Sequence, residues 1–451
     1  MKKNILPIKK KIIFQIILFV FLFFIFSGSS FADSQVLTLD QSIKIALDKN
    51  TQVLSAKEKL NVSGARVNQA MGSVFPSISL DSSFGKSYQQ PLSITIPGMA
   101  APITTSPDEA AEITTYSFSL RQPIFMGGKL LLGIKITNNS YLAALQDYKK
   151  VKNDVVYNVV STYYEYLKSK KMIEVVNSSM IALKKHLQQV ELFYNSGIST
   201  QVDLLRTQTE LANMRNMQIQ VENGLELVSI SFNSLLGYDI SSDVFLSSDI
   251  SQTFESVASY AELLEKAYNN RPDFISFKLG KAIAEDTVGL NTGNLLPNIF
   301  FVGSTGRTTT NYPSSNTKYD LGSWHLLFSG SWTLFDGFIN INKIAEAKAT
   351  AQSLKEQEES IKDAIALDLR AAYLNFSSAK ERLSAAEYAE SLAEKTLKYA
   401  ELNFSSNVGT SLSVLDAESA LLQAQANYWT ALYDVKIAKA KIDKATGLSA
   451  F

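Results

Sequence analysis

The placement of proline limits what this chain can fold into more than any other feature of its sequence. Two long stretches, residues 124–271 and 314–451, contain no proline. Because proline breaks the interior of a helix, both stretches are free to form very long helices. An apolar pattern with helical spacing runs from residue 127 to residue 194, which predicts a helix of roughly 100 Å at about 1.5 Å per residue.

The two halves of the chain match one another. A shift of 221 residues places Pro76 on Pro297, and a shift of 210 residues places Gly237 on Gly447. The difference of 11 locates one insertion in the first half, where residues 89–112 hold four prolines and predict a surface loop. Self-similarity at a fixed offset indicates an internal duplication of one structural unit.

The chain is expected to consist of a signal peptide, two repeats joined by a linker, and a short tail. The signal peptide covers residues 1–32, the first repeat 33–237, the linker or equatorial segment 238–258, the second repeat 259–447 and the tail 448–451. Each repeat is expected to open with a helix, at about 39–74 and 260–295, which a capping box precedes and a proline ends. Strands are expected at about 76–88, 113–123, 297–310 and 319–335, and long helices at about 127–194, 200–236, 337–404 and 410–446.

The first residues predict export. Five lysines precede an apolar run, Ile12–Phe26, and small residues follow at Ser30 and Ala32, which is typical of a secretory signal peptide. The alternative is an N-terminal membrane anchor, although the run is shorter than the roughly 20 residues that a spanning helix needs. Cleavage before Asp33 would remove five lysines and no acidic residue, so the net charge would change from zero to −5.

The predicted strands alternate between apolar and polar residues. Asp81, Arg121 and His325 fall on the polar faces, whereas aromatic residues stand on the apolar ones. One interpretation is a half-buried sheet of a soluble protein. The other is a membrane barrel with a wet lumen and an aromatic girdle. The candidate girdle residues are Tyr88, Tyr116, Phe118, Trp324, Phe328 and Trp332.

Four strands are too few to close a barrel. Lipid offers no hydrogen-bond partners to an open sheet edge, so a spanning sheet must close on itself. If these strands cross a membrane, several chains must therefore contribute strands to one barrel.

The long helices carry apolar residues at heptad spacing, which predicts packing side by side in coiled-coil fashion. In the second half, alanines recur every seven residues from Ala372 to Ala400. The helices turn at residues 195–199 and 405–409. Because the strands lie at one end of a helix of roughly 100 Å, these turns are expected at the far end.

Several classes of function are poorly supported. The chain has no cysteine and two histidines, His186 and His325, which excludes thiolate metal sites and a multi-histidine cluster. The balanced charge gives no basic surface for nucleic acid. Since HExxH, GxSxG and zinc-site patterns are also absent, we expect no enzyme, no cofactor and no bound metal.

The order of elements, the alternating strands and the paired turns together resemble the TolC-type outer-membrane efflux channels, over residues 36–447. The most specific matches are Thr38-Leu-x-x-Ser-x-x-x-Ala46, Phe75-Pro76, Gln122-Pro-Ile-Phe125 and Tyr194-x-x-Gly197-x-x-x-x-x-Asp203-Leu-Leu205. The resemblance implies a mainly α-helical homotrimer with a small membrane β part. Three chains would form a 12-stranded β-barrel in the outer membrane that continues into a 12-helix periplasmic α-barrel.

The resemblance also implies roles for residues at the turns. In this family the turns form a periplasmic tip that meets an adaptor protein, and the matching residues are Gly197, Thr200, Asp203, Leu204, Leu205, Leu412, Val414 and Leu415. Asp416 matches a position at the channel constriction, where a ring of three carboxylates would favour cations. The second turn departs from the pattern, with Asn407 in place of glycine and Ser413 in place of aspartate. For Asp203, capping of the following helix is an alternative to adaptor contact.

The resemblance implies a passive exit duct of a tripartite efflux pump, joined through a periplasmic adaptor to an inner-membrane transporter. An alternative within the class is the outer-membrane component of a type I protein secretion system. An alternative from another class is a non-conducting periplasmic coiled-coil protein. The substrate, the identity of the partners and the register of the third strand stay open.

Overall fold

A computed structural model describes residues 36–247 and 257–448 of the chain, which is mainly helical. The predicted signal peptide and tail fall almost entirely outside these residues. The helices are α1 Leu39–Lys49, α2 Thr51–Gly72, α3 Lys129–Asn195, α4 Gln201–Leu236, α5 Tyr260–Asn270, α6 Pro272–Thr292, α7 Ile339–Ser405 and α8 Ser411–Thr446. The strands are β1 Val36–Leu37, β2 Ser77–Ser87, β3 Ser93–Ile94, β4 Ile103–Thr104, β5 Ala111–Phe125, β6 Phe245–Leu246, β7 Asn298–Tyr312 and β8 Thr317–Ser331.

The two longest helices, α3 and α7, have 67 residues each, or roughly 100 Å. Their ends lie within two residues of the expected positions. Gly128 and Phe338, in left-handed conformation, precede them. The return helices α4 and α8 end at Gly237 and Gly447, which also adopt the left-handed conformation that favours glycine.

The expected helices at 39–74 and 260–295 are wrong in one respect, because each is broken in two. Asn50 and Arg271 stand at the breaks in extended conformation. The Asn50 side chain accepts a bond from Gln52 N (2.9 Å) and so begins a new helix. Pro272 begins α6 and disfavours helical backbone at the residue before it.

The helices lie side by side in one layer. Near the sheet the order across the layer is α2, α3, α6, α7, and toward the turns it is α4, α3, α8, α7. Only α3 and α7 run through both levels. The other two positions of the layer are each filled by two helices in succession, with the short helices α1 and α5 packed against the junctions.

The junctions are built alike in the two halves. At the first junction, Asn50 Nδ2 donates to the carbonyl of Leu235 at the end of α4 (2.9 Å). At the second, Arg271 Nη1 donates to the carbonyl of Ala445 at the end of α8 (3.3 Å). Each side chain therefore satisfies one of the carbonyls that a helix end leaves without an intrahelical partner.

The apolar core follows the helix seams as separate clusters. The largest cluster packs α1, α3 and the end of α4 around Val159, Phe232 and Leu236. The predicted alanine seam of α7 is confirmed for Ala372, Ala379 and Ala386, which are buried. Among residues 36–247 and 257–448, no helix combines the length and the apolar character needed to cross a membrane.

The sheet is antiparallel, in the order β2, β5, β7, β8. Its registers extend over nearly the full length of each pair, from Ser77–Arg121 to Ser87–Ala111 in the first pair. β7 is the third of the four long strands that the sequence predicts. In its register, Ser304 pairs with Ser119 of β5 on one side and with His325 of β8 on the other. Within the described residues, β2 and β8 each have a single neighbouring strand, so the sheet has two open edges.

Candidate functional site

One face of the sheet is apolar across its central rows. Leu80, Phe118 and Trp324 share a row, and Ile78, Leu120 and Leu326 share the next row toward the helices. The apolar side chains of the edge strands are strongly exposed, for example Leu80 at 76% and Trp324 at 75%. A large exposed apolar face of this kind marks a surface that is covered by lipid or by another protein.

The opposite face is polar at the same level. Ser79, Ser119, Ser304 and His325 form one row, and Asp81, Ser117 and Ser323 belong to the next. The hydroxyls of Ser79 and Ser119 are hydrogen-bonded across the strands at 2.7 Å. Arg121 lies on this face, with its guanidinium 3.9 Å from the centre of the Phe300 ring. The face therefore suits contact with water.

The six candidate girdle residues are all exposed in the single chain. Tyr116, Phe118, Trp324 and Phe328 project from the apolar face of the sheet. Trp332 lies just past the end of β8, where its Nε1 donates to the carbonyl of Leu295 (3.0 Å). Tyr88 differs from the rest, because it lies just past β2 and its hydroxyl donates to Asp108 in the following loop (2.7 Å).

The first helix turn is held by a complete capping box. Gly197 adopts a φ of +73°, which reverses the chain after α3. Thr200 N donates to Asp203 Oδ2 (3.2 Å), and Asp203 N donates to Thr200 Oγ1 (3.2 Å). The hydrogen bond from the Thr200 side chain lowers the pKa of Asp203 below its ordinary value. The capping alternative for Asp203 is therefore confirmed, and adaptor contact stays a prediction.

The second turn has the same path with different residues. Asn407 adopts a φ of +57°, and asparagine is one of the few non-glycine residues that enter this region readily. Ser413 N donates to Thr410 Oγ1 (3.2 Å), but the Ser413 hydroxyl donates to the Thr410 carbonyl (2.6 Å). The reciprocal bond of a capping box is missing, so this turn is capped from one side only.

The predicted tip residues separate into an exposed and a buried group. Gly197, Leu205 and Leu412 are exposed and can meet a partner. Val414 and Leu415 are buried, and Leu204 is half-buried. The buried group packs in the clusters of Val190 and Phe404 and of Val176 and Leu183. Its side chains therefore hold the turns together from inside.

Asp416 is exposed, and its place at a channel constriction stays a prediction. A neighbouring carboxyl, Glu418, was missed by the sequence analysis. Glu418 is only 9% exposed, and its Oε1 has no hydrogen-bond partner. Burial, aided by Glu401 and Glu210, raises the pKa of Glu418 to about 7. Glu418 stands seven residues after the buried Ser411, on the same face of α8, but both residues are polar and no apolar heptad in the sequence indicates their burial.

His186 belongs to a second buried polar group close to the turns. Its Nε2 lies 2.9 Å from the Ser411 hydroxyl, which lies 3.5 Å from the Thr207 hydroxyl. The imidazole also packs edge-on against the Phe404 ring at 5.0 Å. Burial lowers the pKa of His186 to about 4, so the side chain is neutral near pH 7. The group ties α3, α4 and α8 together with hydrogen bonds.

The chain matches the family model described as "Outer membrane efflux protein" over residues 42–238 and 263–448. It is 20% identical over 427 residues to the outer membrane protein TolC of Escherichia coli, covering 92% of this chain and 83% of that protein. It is 21% identical over 339 residues to the alkaline protease secretion protein AprF of Pseudomonas aeruginosa, covering 72% and 68%. The crystal structure of the Campylobacter jejuni CmeC outer membrane channel superposes with a TM-score of 0.79 at 15% identity, covering 91% and 85%.

Proposed function

We propose that the chain, which belongs to the outer membrane efflux protein family, forms one third of a passive exit duct across the outer membrane. The duct would release small molecules that an inner-membrane transporter delivers through a periplasmic adaptor. The chain itself would catalyse nothing and supply no energy.

The observation that carries this proposal is the four-stranded sheet with one apolar face and two open edges. A sheet in lipid must leave no backbone donor or acceptor without a partner. In an antiparallel sheet of four strands, β8 of one chain runs antiparallel to β2 of the next, so identical chains can join edge to edge. Three chains would give twelve strands, which is within the range of outer-membrane barrels.

The dimensions support a membrane position for the sheet. From Trp332 to Trp324 the apolar face extends roughly 27 Å at about 3.4 Å per residue, or about 20 Å after a strand tilt near 40°. Outer-membrane barrels have an apolar band of roughly 25 Å. The helices would then extend roughly 100 Å into the periplasm, with twelve helices at each level of the trimer.

The turns would be the end that meets the adaptor. Gly197, Leu205 and Leu412 are exposed there, and Asp416 would contribute to a ring of three carboxylates at the narrowest point. Contacts with the adaptor would shift the closed form of this end toward an open one.

Protein secretion is the second candidate function, and the similarity to the alkaline protease secretion protein favours it. The same duct would then release an unfolded polypeptide. A non-conducting periplasmic coiled-coil protein is less well supported, because its exposed apolar sheet face would face water.

The experiment is to purify the processed protein from the outer-membrane fraction and measure its size and its conductance in planar lipid bilayers. We expect trimer-sized migration in detergent that changes on heating, together with discrete conductance steps. A stable, water-soluble monomer would contradict the proposal. Deleting the gene and following loss of drug export or of a secreted protein would separate the two candidate functions.

A further inference from the structure

The polarity of both faces of the sheet changes near the end that is farthest from the helices. On the face that carries Trp324, the last rows hold charged residues, since Arg307 pairs with Asp320 (2.7 Å) and Lys86 pairs with Glu112 (3.2 Å). If the rows of this face that are closer to the helices contact lipid, as the proposed function requires, the charged rows lie beyond the apolar part of the membrane.

On the opposite face the change is the reverse. Toward the same end, apolar and aromatic side chains appear among the serines and threonines of this face: Leu321, Ile113, Tyr319 and Tyr312. The rings of Tyr312 and Tyr319 pack edge-on at 6.0 Å, while Leu321 is 67% exposed. At the mouth the inner face therefore carries apolar and aromatic side chains that the serine rows lack, at the level where the outer face carries ion pairs.

The loop between β2 and β5 supplies matching apolar surface. It is the insertion that lengthens the first half, whereas β7 and β8 are joined by only residues 313–316. Its large aliphatic side chains are 43–63% exposed in the single chain: Leu92, Ile94, Ile96, Met99 and Ile103. A polar surface loop has no need of five such side chains, so another apolar surface is expected to cover them.

The loop is also held in a fixed position at the mouth. Its two short strands, β3 and β4, pair with each other. The carboxylate of Glu109 accepts bonds from Ser314 N (2.8 Å) and Ser315 N (2.7 Å) of the other hairpin. This contact joins the two hairpins of one chain at their outer ends, on the rim where three chains would converge.

We propose that the β2–β5 loops of the three chains meet over the mouth and close it from the outside, with their aliphatic side chains packing on each other and on the apolar side chains of the inner face. This inference rests on the proposed trimer. It assigns the chain a second closure, separate from the helix turns at the opposite end.

The absence of cysteine allows a direct test. Ser119→Cys places one thiol on the inner face below the mouth, and intact cells are treated with a bulky thiol reagent that does not cross membranes. We expect slow labelling with the full loop and several-fold faster labelling when residues 92–105 are replaced by a short Gly/Ser turn. Lys318→Cys, on the outer face, is the matched control and should react equally in both backgrounds.

A second variant keeps the loop intact. Met99→Cys should form a disulfide between two chains, seen as a dimer-sized band under denaturing, non-reducing conditions. Equal labelling of Ser119→Cys with and without the loop, or no cross-link through Met99→Cys in a trimeric sample, would overturn the closure while leaving the duct in place. If neither the variants nor the unaltered chain migrate as a trimer, the proposed function and the proposed closure are both contradicted.

Discussion

At the scale of single residues, the end of the molecule with the helix turns holds two carboxyls with opposite surroundings. Asp416 is exposed, whereas Glu418, one half-turn further along α8, is buried without a partner for one oxygen. A buried carboxyl that cannot be fully hydrogen-bonded is neutralised more easily than an exposed one. The two residues therefore give different predictions.

Replacing Asp416 with alanine should remove the negative ring of the proposed constriction. We expect weaker preference for cations over anions and a looser closed state, because carboxylate rings attract cations to a narrow pore. The measurement is the reversal potential and the closed-state conductance in planar bilayers. Asp416→Glu, which keeps the charge, is the control, and an Asp416→Ala channel with unaltered selectivity and conductance would refute the assignment.

Replacing Glu418 with glutamine should stabilise the folded protein at high pH only. The folded-state pKa is raised from 4.5 to about 7, so ionisation costs nothing below about pH 4.5 and its full penalty applies above about pH 7. We expect a gain of up to about 3 kcal/mol near pH 8 that disappears near pH 4.5. The measurement compares the thermal midpoints of the two proteins in detergent. His186 is present in both proteins, so its own change of charge with pH affects both midpoints equally. A gain that is the same at both pH values would contradict the burial of an ionisable group.

At the scale of elements, the junctions between successive helices depend on close backbone approach. A Cβ at Gly237 would lie 2.8 Å from the carbonyl oxygen of Lys49, and the φ of Gly237 is +69°. Both facts oppose any other residue at this position.

Gly237→Ala should therefore destabilise the protein, by about 1–3 kcal/mol. Gly280→Ala is the matched control, because Gly280 lies inside α6 with no atom within 4 Å of a new Cβ, and alanine there should stabilise by about 0.5–1 kcal/mol. Thermal midpoints of the two variants should move in opposite directions. A tolerated Gly237→Ala would show that the junction can relax.

Most elements could be predicted from the sequence, and the failures have physical causes. Proline-free stretches with heptads fixed α3 and α7 within two residues, because long periodic patterns leave little choice of structure. The break at Asn50 was missed although its capping bond with Gln52 is local, and the bond that Asn50 donates to Leu235 joins a distant segment that no local pattern reveals. The break at Arg271 could have been found from Pro272. The burial of Glu418 and of Val414 follows from how four helices meet, which heptads alone do not specify.

At the scale of the whole molecule, the two open edges of the sheet determine how copies must join. Ser79→Cys on β2, combined in turn with Ser323→Cys, His325→Cys or Ser329→Cys on β8, should give disulfides between chains in at least one combination. Bands of dimer and trimer size on denaturing, non-reducing gels would show these disulfides. Ser79→Cys with Ser119→Cys is the control, because those hydroxyls already lie 2.7 Å apart within one chain. If none of the combinations gives an interchain band, the edge-to-edge assembly is contradicted.

The continuity of α3 and α7 has a mechanical consequence. At the junctions near Asn50 and Arg271, two of the four positions in the helical layer change from one helix to the next, so α3 and α7 are the two described helices that run unbroken from the turns to the sheet. If the proposed duct opens at the turns, α4 and α8 would move relative to α2 and α6 at these junctions. Opening of the turns would then leave the width of the proposed barrel unchanged, and the two ends of the proposed duct would open independently of each other.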